Sequence, residues 1–468
     1  MVATTAKKYF PQFDFKFNLM NKNLFRIPLL LLGVLIILIG LRFMPTVTIF
    51  GYEVKAIDPL SDLFPSDSSD LLVEDLNLVP EVKVVEEYKC PEGVTCIEDY
   101  SAGAPSGMSN FYKALEEREK LERPVRIAYF GDSFIEGDIL TADLRELLQQ
   151  KFGGNGVGYL SVAPEAPGFR RSVAQSYRGW ERHQAIDSVG FVSKRQSMAQ
   201  TYAHPMGSCY TDVRATDKHK HAEQFETSTF YLKSTRPLNF TVTMNDSVKQ
   251  TVETSGTGEV EAVSVQGKMN HVRWTTSADR SVTGLGVAVE GKKGISLDNF
   301  ALRSTSGTQL LNMDTTYLAE MAKVRPYDLI IIHYGLNVAG KNTTNYDFYV
   351  KSMSKVIERF KKAFPTTSIL IVGVGDRETR INGELHTMKG ILALIQYQQQ
   401  LAALNEVAFW NLYEAMGGDG SIVKLSEKKP AEARKDYTHI THEGGRTLAE
   451  YCYKALIAGF DKYNHEKK

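Results

Sequence analysis

A chain of 468 residues is long enough to hold two or three domains. Its 55 basic and 55 acidic residues cancel, so overall charge offers no attraction for nucleic acid or any other polyanion. The elements are therefore read for other chemistry, in chain order. Lys7, Lys8, Lys16 and Lys22 precede an apolar run over residues 24–44, with Arg26 and Arg42 near its ends. As a helix that run is ~30 Å long, enough to cross a bilayer if both arginines snorkel to the interfaces. The basic residues ahead of it keep a tail of residues 1–23 in the cytoplasm and export everything that follows. Pro45-Thr46-Val47-Thr48-Ile49 shows no small-x-small cleavage pattern, which predicts an uncleaved single-pass anchor. Residues 45–107 are read as a spacer, since from about Ile57 to Gly107 the chain is acidic and rich in Ser, Pro and Gly. Cys90 and Cys96 lie within it, and in an exported segment they are expected to form a disulfide. Cys209 and Cys452 are read as buried thiols.

The first part of the catalytic body is expected over residues 108–184. Val125 to Phe130 forms an apolar run that ends in Gly131-Asp132-Ser133, and an amphipathic segment with Leu140, Leu144, Leu147 and Leu148 on one face follows. A buried strand turning through glycine onto serine lifts the hydroxyl above the carboxyl edge of a sheet. With unpaired backbone N–H groups nearby, that arrangement suits an acyl-transfer nucleophile. Residues 185–294 change texture: short alternating runs such as Leu238 to Met244 and Val260 to Val265 are separated by Asn245-Asp246, Gly256 and Gly267. This is a β-sandwich pattern, inserted into the body. Trp180, just ahead of it in an expected loop, is a candidate sugar-stacking residue, whereas Trp274 reads as sandwich core.

The body resumes over residues 295–462. Asp328 to His333 is a second buried strand that runs into Gly335-Leu336-Asn337. A helix over 351–364, a strand over 368–374, a helix over 388–404 and a strand over 407–412 continue an alternation that implies a parallel sheet covered on both faces. Asp436-Tyr437-Thr438-His439 then precedes a helix expected from Arg446 to about Phe460. Three residues in a tight turn let the Asp436 carboxylate reach the near nitrogen of His439, freeing the far one to take a serine proton. Position 135 is Ile135, so no Gly-x-Ser-x-Gly elbow is present, and there is no His-Glu-x-x-His zinc motif. His219 and His221 alternate with lysines and are read as a solvated loop lacking a matched carboxylate. No metal or cofactor is expected.

In order and placement, Gly131-Asp132-Ser133, Gly335-Leu336-Asn337 and Asp436-Tyr437-Thr438-His439 resemble the motif blocks of the SGNH hydrolases, the GDSL-type esterases. The resemblance implies a three-layer flavodoxin-like α/β fold with a parallel sheet, joined here to the inserted jelly-roll-like β-sandwich and the N-terminal transmembrane helix. It implies Ser133 as nucleophile, His439 as base and Asp436 as its orienting partner, with the Ser133 N–H and the Asn337 amide holding the oxyanion. A further family block, which supplies a glycine N–H, is matched by the stretch Leu297 to Gly307 with Ser304 in the glycine's place. A serine N–H serves equally well provided φ is negative, and Gly307 is the alternative donor. Asp132 and His333 are candidate substrate contacts, although a histidine closing a buried strand is more simply structural.

The layout is similar to that of family esterases acting on bacterial cell-wall sugars. It leads to the expectation of an inner-membrane protein whose catalytic body faces the periplasm and deacetylates an envelope polysaccharide, peptidoglycan foremost. An O-acyltransferase with the same triad and a non-catalytic envelope-glycan binder stand as alternatives.

Overall fold

The computed structural model describes residues 90–467, apart from residues 105 and 188, together with residues 33–34, 47–49 and 52–54. The expected anchor over residues 24–44 lies outside the described residues, except for Gly33 and Val34. Among the described residues no helix is long and apolar enough to cross a membrane. The chain divides into two compact units, Met1–Leu78 and Val79–Lys468. In the first, Val47–Ile49 and Tyr52–Val54 pair antiparallel.

The second unit is built on a six-stranded sheet. Its strands are β1 (Glu98–Asp99), β2 (Val125–Gly131), β3 (Ile295–Ala301), β4 (Leu329–His333), β5 (Ser368–Val372) and β6 (Ala408–Trp410), in the order β3-β2-β4-β5-β6-β1. The first five run parallel and β1 closes the edge antiparallel. Every residue of β2, β4, β5 and β6 is buried, which is why these strands read as continuous apolar runs.

Six helices are associated with the sheet: α1 (Ser109–Glu116), α2 (Thr141–Phe152), α3 (Thr315–Val324), α4 (Asp347–Ala363), α5 (Lys389–Leu404) and α6 (His442–Glu466). From β2 the chain steps outward to β3, then crosses back past β2 to β4, β5 and β6. Right-handed crossovers made in opposite directions place their helices on opposite faces. Accordingly α6 packs with α2 and α1, while α4 packs with α3 and α5. The order reverses between β2 and β4, and the crevice beyond their carboxyl ends is the binding place of such a sheet.

Two expected boundaries move. The spacer ends before Cys90: Cys90 and Cys96 form a disulfide with Cα atoms 5.9 Å apart. Thr95 O accepts from Trp410 Nε1 at 3.0 Å, and Asp99 accepts from the Met108 N–H at 2.9 Å. The inserted region also starts earlier than residue 185. It is a nine-stranded antiparallel sheet in which Gly158–Leu160 joins Thr283–Glu290 and Val173–Gln184 pairs along Thr201–Ala215. The polar string Gln175 to Arg182 hid that strand, since only one of its faces meets the core. This module has its own apolar core around Phe230, Phe240, Val242, Trp274 and Val287.

Module and body are joined by buried ions. Arg325, fully buried, donates to Asp298 at 2.7 and 2.8 Å and to Glu290 at 2.9 and 3.2 Å. Glu290 also accepts from Arg126 at 2.7 Å, and the module's Tyr231 hydroxyl accepts from Arg325 at 3.0 Å. Each charge has an opposite partner, which is the condition for burying it.

Candidate active site

Ser133 follows β2 at the crevice, half-buried in a turn. The helix after it does not begin at the serine. A turn and a short 3₁₀ segment, Glu136–Asp138, intervene before α2 starts at Thr141. Asp132 is buried beneath this turn, accepting from the Phe134 N–H at 2.9 Å and from Asn337 Nδ2 at 3.1 Å. Burial, only partly offset by these donors and by the charge of His439, pushes its pKa up to about 6.

Asp436 and His439 arrive on the loop before α6. Asp436 Oδ1 accepts from the N–H groups of Thr438 and His439, both at 3.0 Å, and Oδ2 lies 2.8 Å from His439 Nδ1. Burial works against ionisation of Asp436, yet these donors outweigh it and hold the carboxyl below its ordinary value. With Nδ1–H donating to the carboxylate, Nε2 is left as an acceptor, and the Ser133 hydroxyl lies 3.3 Å from it.

Two glycines allow this approach. A β-carbon on Gly445 would lie 1.6 Å from the Ile139 carbonyl, in the turn after the serine. One on Gly444 would lie 1.8 Å from the Glu432 carbonyl. The helix expected from Arg446 begins at His442, capped by Thr441, whose hydroxyl accepts from the Gly444 N–H. Its glycine pair thus sits inside the first turn, pressed against backbone.

Asn337 follows β4, next to β2. Its Nδ2 donates to Asp132 and to the Thr305 carbonyl at 3.0 Å, so the loop after β3 reaches the same point. Arg303 on that loop donates to Glu136 at 2.7 Å, tying it to the serine turn. Ser304 has φ +60°, not the negative value expected of a donor there. Left-handed backbone favours glycine, in keeping with its place at the glycine of the matched block. Gly307 has φ +88°.

Other candidates fall away from the crevice. Trp180 is not in a loop: it lies on a module strand, 7% exposed, stacked on Phe230 with centroids 6.0 Å apart. It fills the core because that strand turns one face inward. His333 is buried, its Nδ1 3.1 Å from the Tyr129 hydroxyl and its ring edge-on to Phe134. Burial drops its pKa to about 3, so it packs as a neutral ring. Asp376, just beyond β5, accepts from the Ile422 N–H at 3.0 Å, in the first turn of the helix Ser421–Glu427. His219 and His221 do have carboxylate partners, Asp143 at 3.3 Å and Glu146 at 2.8 Å, both on α2. Among the described residues no group of three or more His, Cys, Asp and Glu could hold a metal ion. Glu136, Arg303 and Thr305 were not legible as site residues, because their roles depend on contacts between distant loops.

No protein-family profile and no curated protein matches this sequence. Among solved structures, a peptidoglycan O-acetylesterase superimposes with a TM-score of 0.64 at 21% identity, covering 78% of this chain and 99% of that one. A salicylyl-acyltransferase from a tetracycline biosynthetic pathway matches at a TM-score of 0.28 and 10% identity, over 62% of this chain and 98% of its own. A family two carbohydrate esterase from Cellvibrio japonicus matches at 0.24 and 9%, over 61% and 99%. The last two likenesses are too distant to bear on the argument. The first spans body and module together, and with it the chain is seen to share the fold of that esterase.

Proposed function

We propose that this protein is a serine esterase that removes O-acetyl groups from a cell-envelope polysaccharide, peptidoglycan being the foremost candidate. The observation that carries the reading is the line of contacts from Ser133 through His439 to Asp436. Ser133 Oγ attacks the ester carbonyl while His439 Nε2 takes its proton, and Asp436 stabilises the imidazolium that forms. The oxyanion collects at the Asn337 amide and the Ser133 N–H. In the free protein both amide protons of Asn337 are engaged. A full negative charge accepts more strongly than the neutral Thr305 carbonyl, so it draws one of them away. Collapse expels the sugar oxygen, which takes the proton from His439, and water then releases acetate from the acyl-enzyme.

The likeness to a peptidoglycan O-acetylesterase across body and module supports the choice of substrate. The apolar run over residues 24–44, with lysines ahead of it, supports anchoring in the inner membrane with the body in the periplasm. Acetate released from O-acetylated peptidoglycan tests the reading. Ser133→Ala is expected to lower kcat by at least ~10³. A variant within about threefold of wild type, far short of that loss, defeats it.

A further inference from the structure

Beside the serine turn lies a cleft of about 150 Å³ that the reaction above does not use. One wall is the turn Glu136–Asp138, three residues beyond Ser133, together with Ala301–Arg303, immediately before Ser304. The other wall includes the segment carrying Phe169 and the module strand carrying Arg182. Body and inserted module therefore build it jointly.

Two side chains in it lack the partners that would make them merely structural. Phe169 is 48% exposed. Its ring lies against Gly137, where a β-carbon would come within 2.8 Å of it. A flat apolar face is thus held open to solvent close to the serine turn, where the apolar face of a ligand ring can stack on it. Arg182 has a buried Nη1 with no hydrogen-bond partner. The cleft's other arginines are engaged: Arg170 donates to Asp138 at 2.7 Å and Arg303 to Glu136 at 2.7 Å. Among the described residues no carboxylate pairs with Arg182. A buried guanidinium N–H without an acceptor is unfavourable, and a ligand carboxylate removes the deficit with a charge-assisted bond.

We propose that this cleft is a glycan subsite: Phe169 stacks on a pyranose ring flanking the acetylated sugar, and Arg182 pairs with a carboxylate carried by the glycan. The proposal rests on the esterase reading for its substrate but not for its test. Binding is measured on the full chain carrying Ser133→Ala, which needs no turnover. The probes are soluble O-acetylated peptidoglycan fragments, which bear carboxylates, and neutral acetylated xylo-oligosaccharides. Phe169→Ala is expected to weaken both by about tenfold, and Phe169→Trp to retain affinity. Arg182→Gln is expected to weaken the peptidoglycan fragments about tenfold and the neutral glycan less than about twofold, with Arg182→Lys partly restoring the former. In chains with Ser133 intact, turnover of a small chromogenic acetyl ester stays within about twofold in all four variants, since that substrate does not reach the cleft. Unchanged binding in Phe169→Ala and Arg182→Gln, equal loss on both glycans in Arg182→Gln, or no binding by the parent overturns the proposal. If these affinities behave as expected while wild type releases no acetate, the subsite stands and the esterase reading alone falls.

Discussion

Asp132 and Asn337 show how much of this site depends on single polar contacts. Asn337 is held between a buried carboxylate and a backbone carbonyl, so its aim depends on the charge of Asp132. The raised pKa means that the fold binds this proton more tightly than the unfolded chain does. Below about 6 the Asp132 carboxyl is therefore neutral and a weaker acceptor. We expect the side-chain amide resonance of Asn337 to titrate with a midpoint near about 6, and an amide that does not respond between pH 4.5 and 8 to contradict the coupling. Asn337→Ala should cost ~10²–10³ in kcat with little change in KM, as expected on loss of an oxyanion donor. A loss below about threefold would remove Asn337 from that role.

At the scale of elements, the terminal helix delivers the histidine, and it does so because Gly444 and Gly445 let its first turn touch two carbonyls. Gly445→Ala must push α6 away from Ile139, and the Ser133 to His439 contact opens with it. Activity should fall by more than about tenfold while far-UV circular dichroism stays native, since a 1 Å displacement can cost far more than that. Wild-type kcat in this variant would show that the contact does not depend on the helix. Ser304→Gly should relieve left-handed strain and stabilise the fold by up to about 1 kcal/mol, read from denaturant midpoints.

The parallel strands were legible because burial on both faces writes uninterrupted apolar runs such as Leu329 to Ile332. The contacts of Ser133, His439 and Asp436 were legible because Asp436 and His439 are close in sequence and every motif closes a strand or precedes a helix. Strand Val173–Gln184 was not, since a bulge between Arg178 and Trp180 shifts which side chains face inward, and polar residues such as Arg178 and Glu181 interrupt the alternation. Nor was the burial of Trp180, which follows from pairing with a strand whose first residue is 21 positions away, Thr201. The backbone angle at Ser304 is likewise set by tertiary contacts that a tripeptide does not encode.

In the molecule as a whole, the joint around Arg325 fixes the module against the body and so shapes the cleft between them. Arg325→Ala strands Asp298 without its cation, leaves Glu290 only Arg126, and should cost ~3–5 kcal/mol. Burial opposes ionisation of Glu290 and Asp138, yet the paired arginines hold both carboxyls well below their ordinary values. Groups lowered in the fold contribute stability above their unfolded values of about 4 and lose it as pH falls below them. The urea midpoint should therefore rise between about pH 7 and 5 as Asp132 takes up its proton and drop between about pH 4 and 2, and a midpoint flat across the acid range would contradict this. The relay itself is tested most directly by labelling with a fluorophosphonate and locating the adduct by mass spectrometry. The account predicts a single adduct on Ser133 that is lost in His439→Ala, and an unlabelled Ser133, or labelling indifferent to His439, would contradict it.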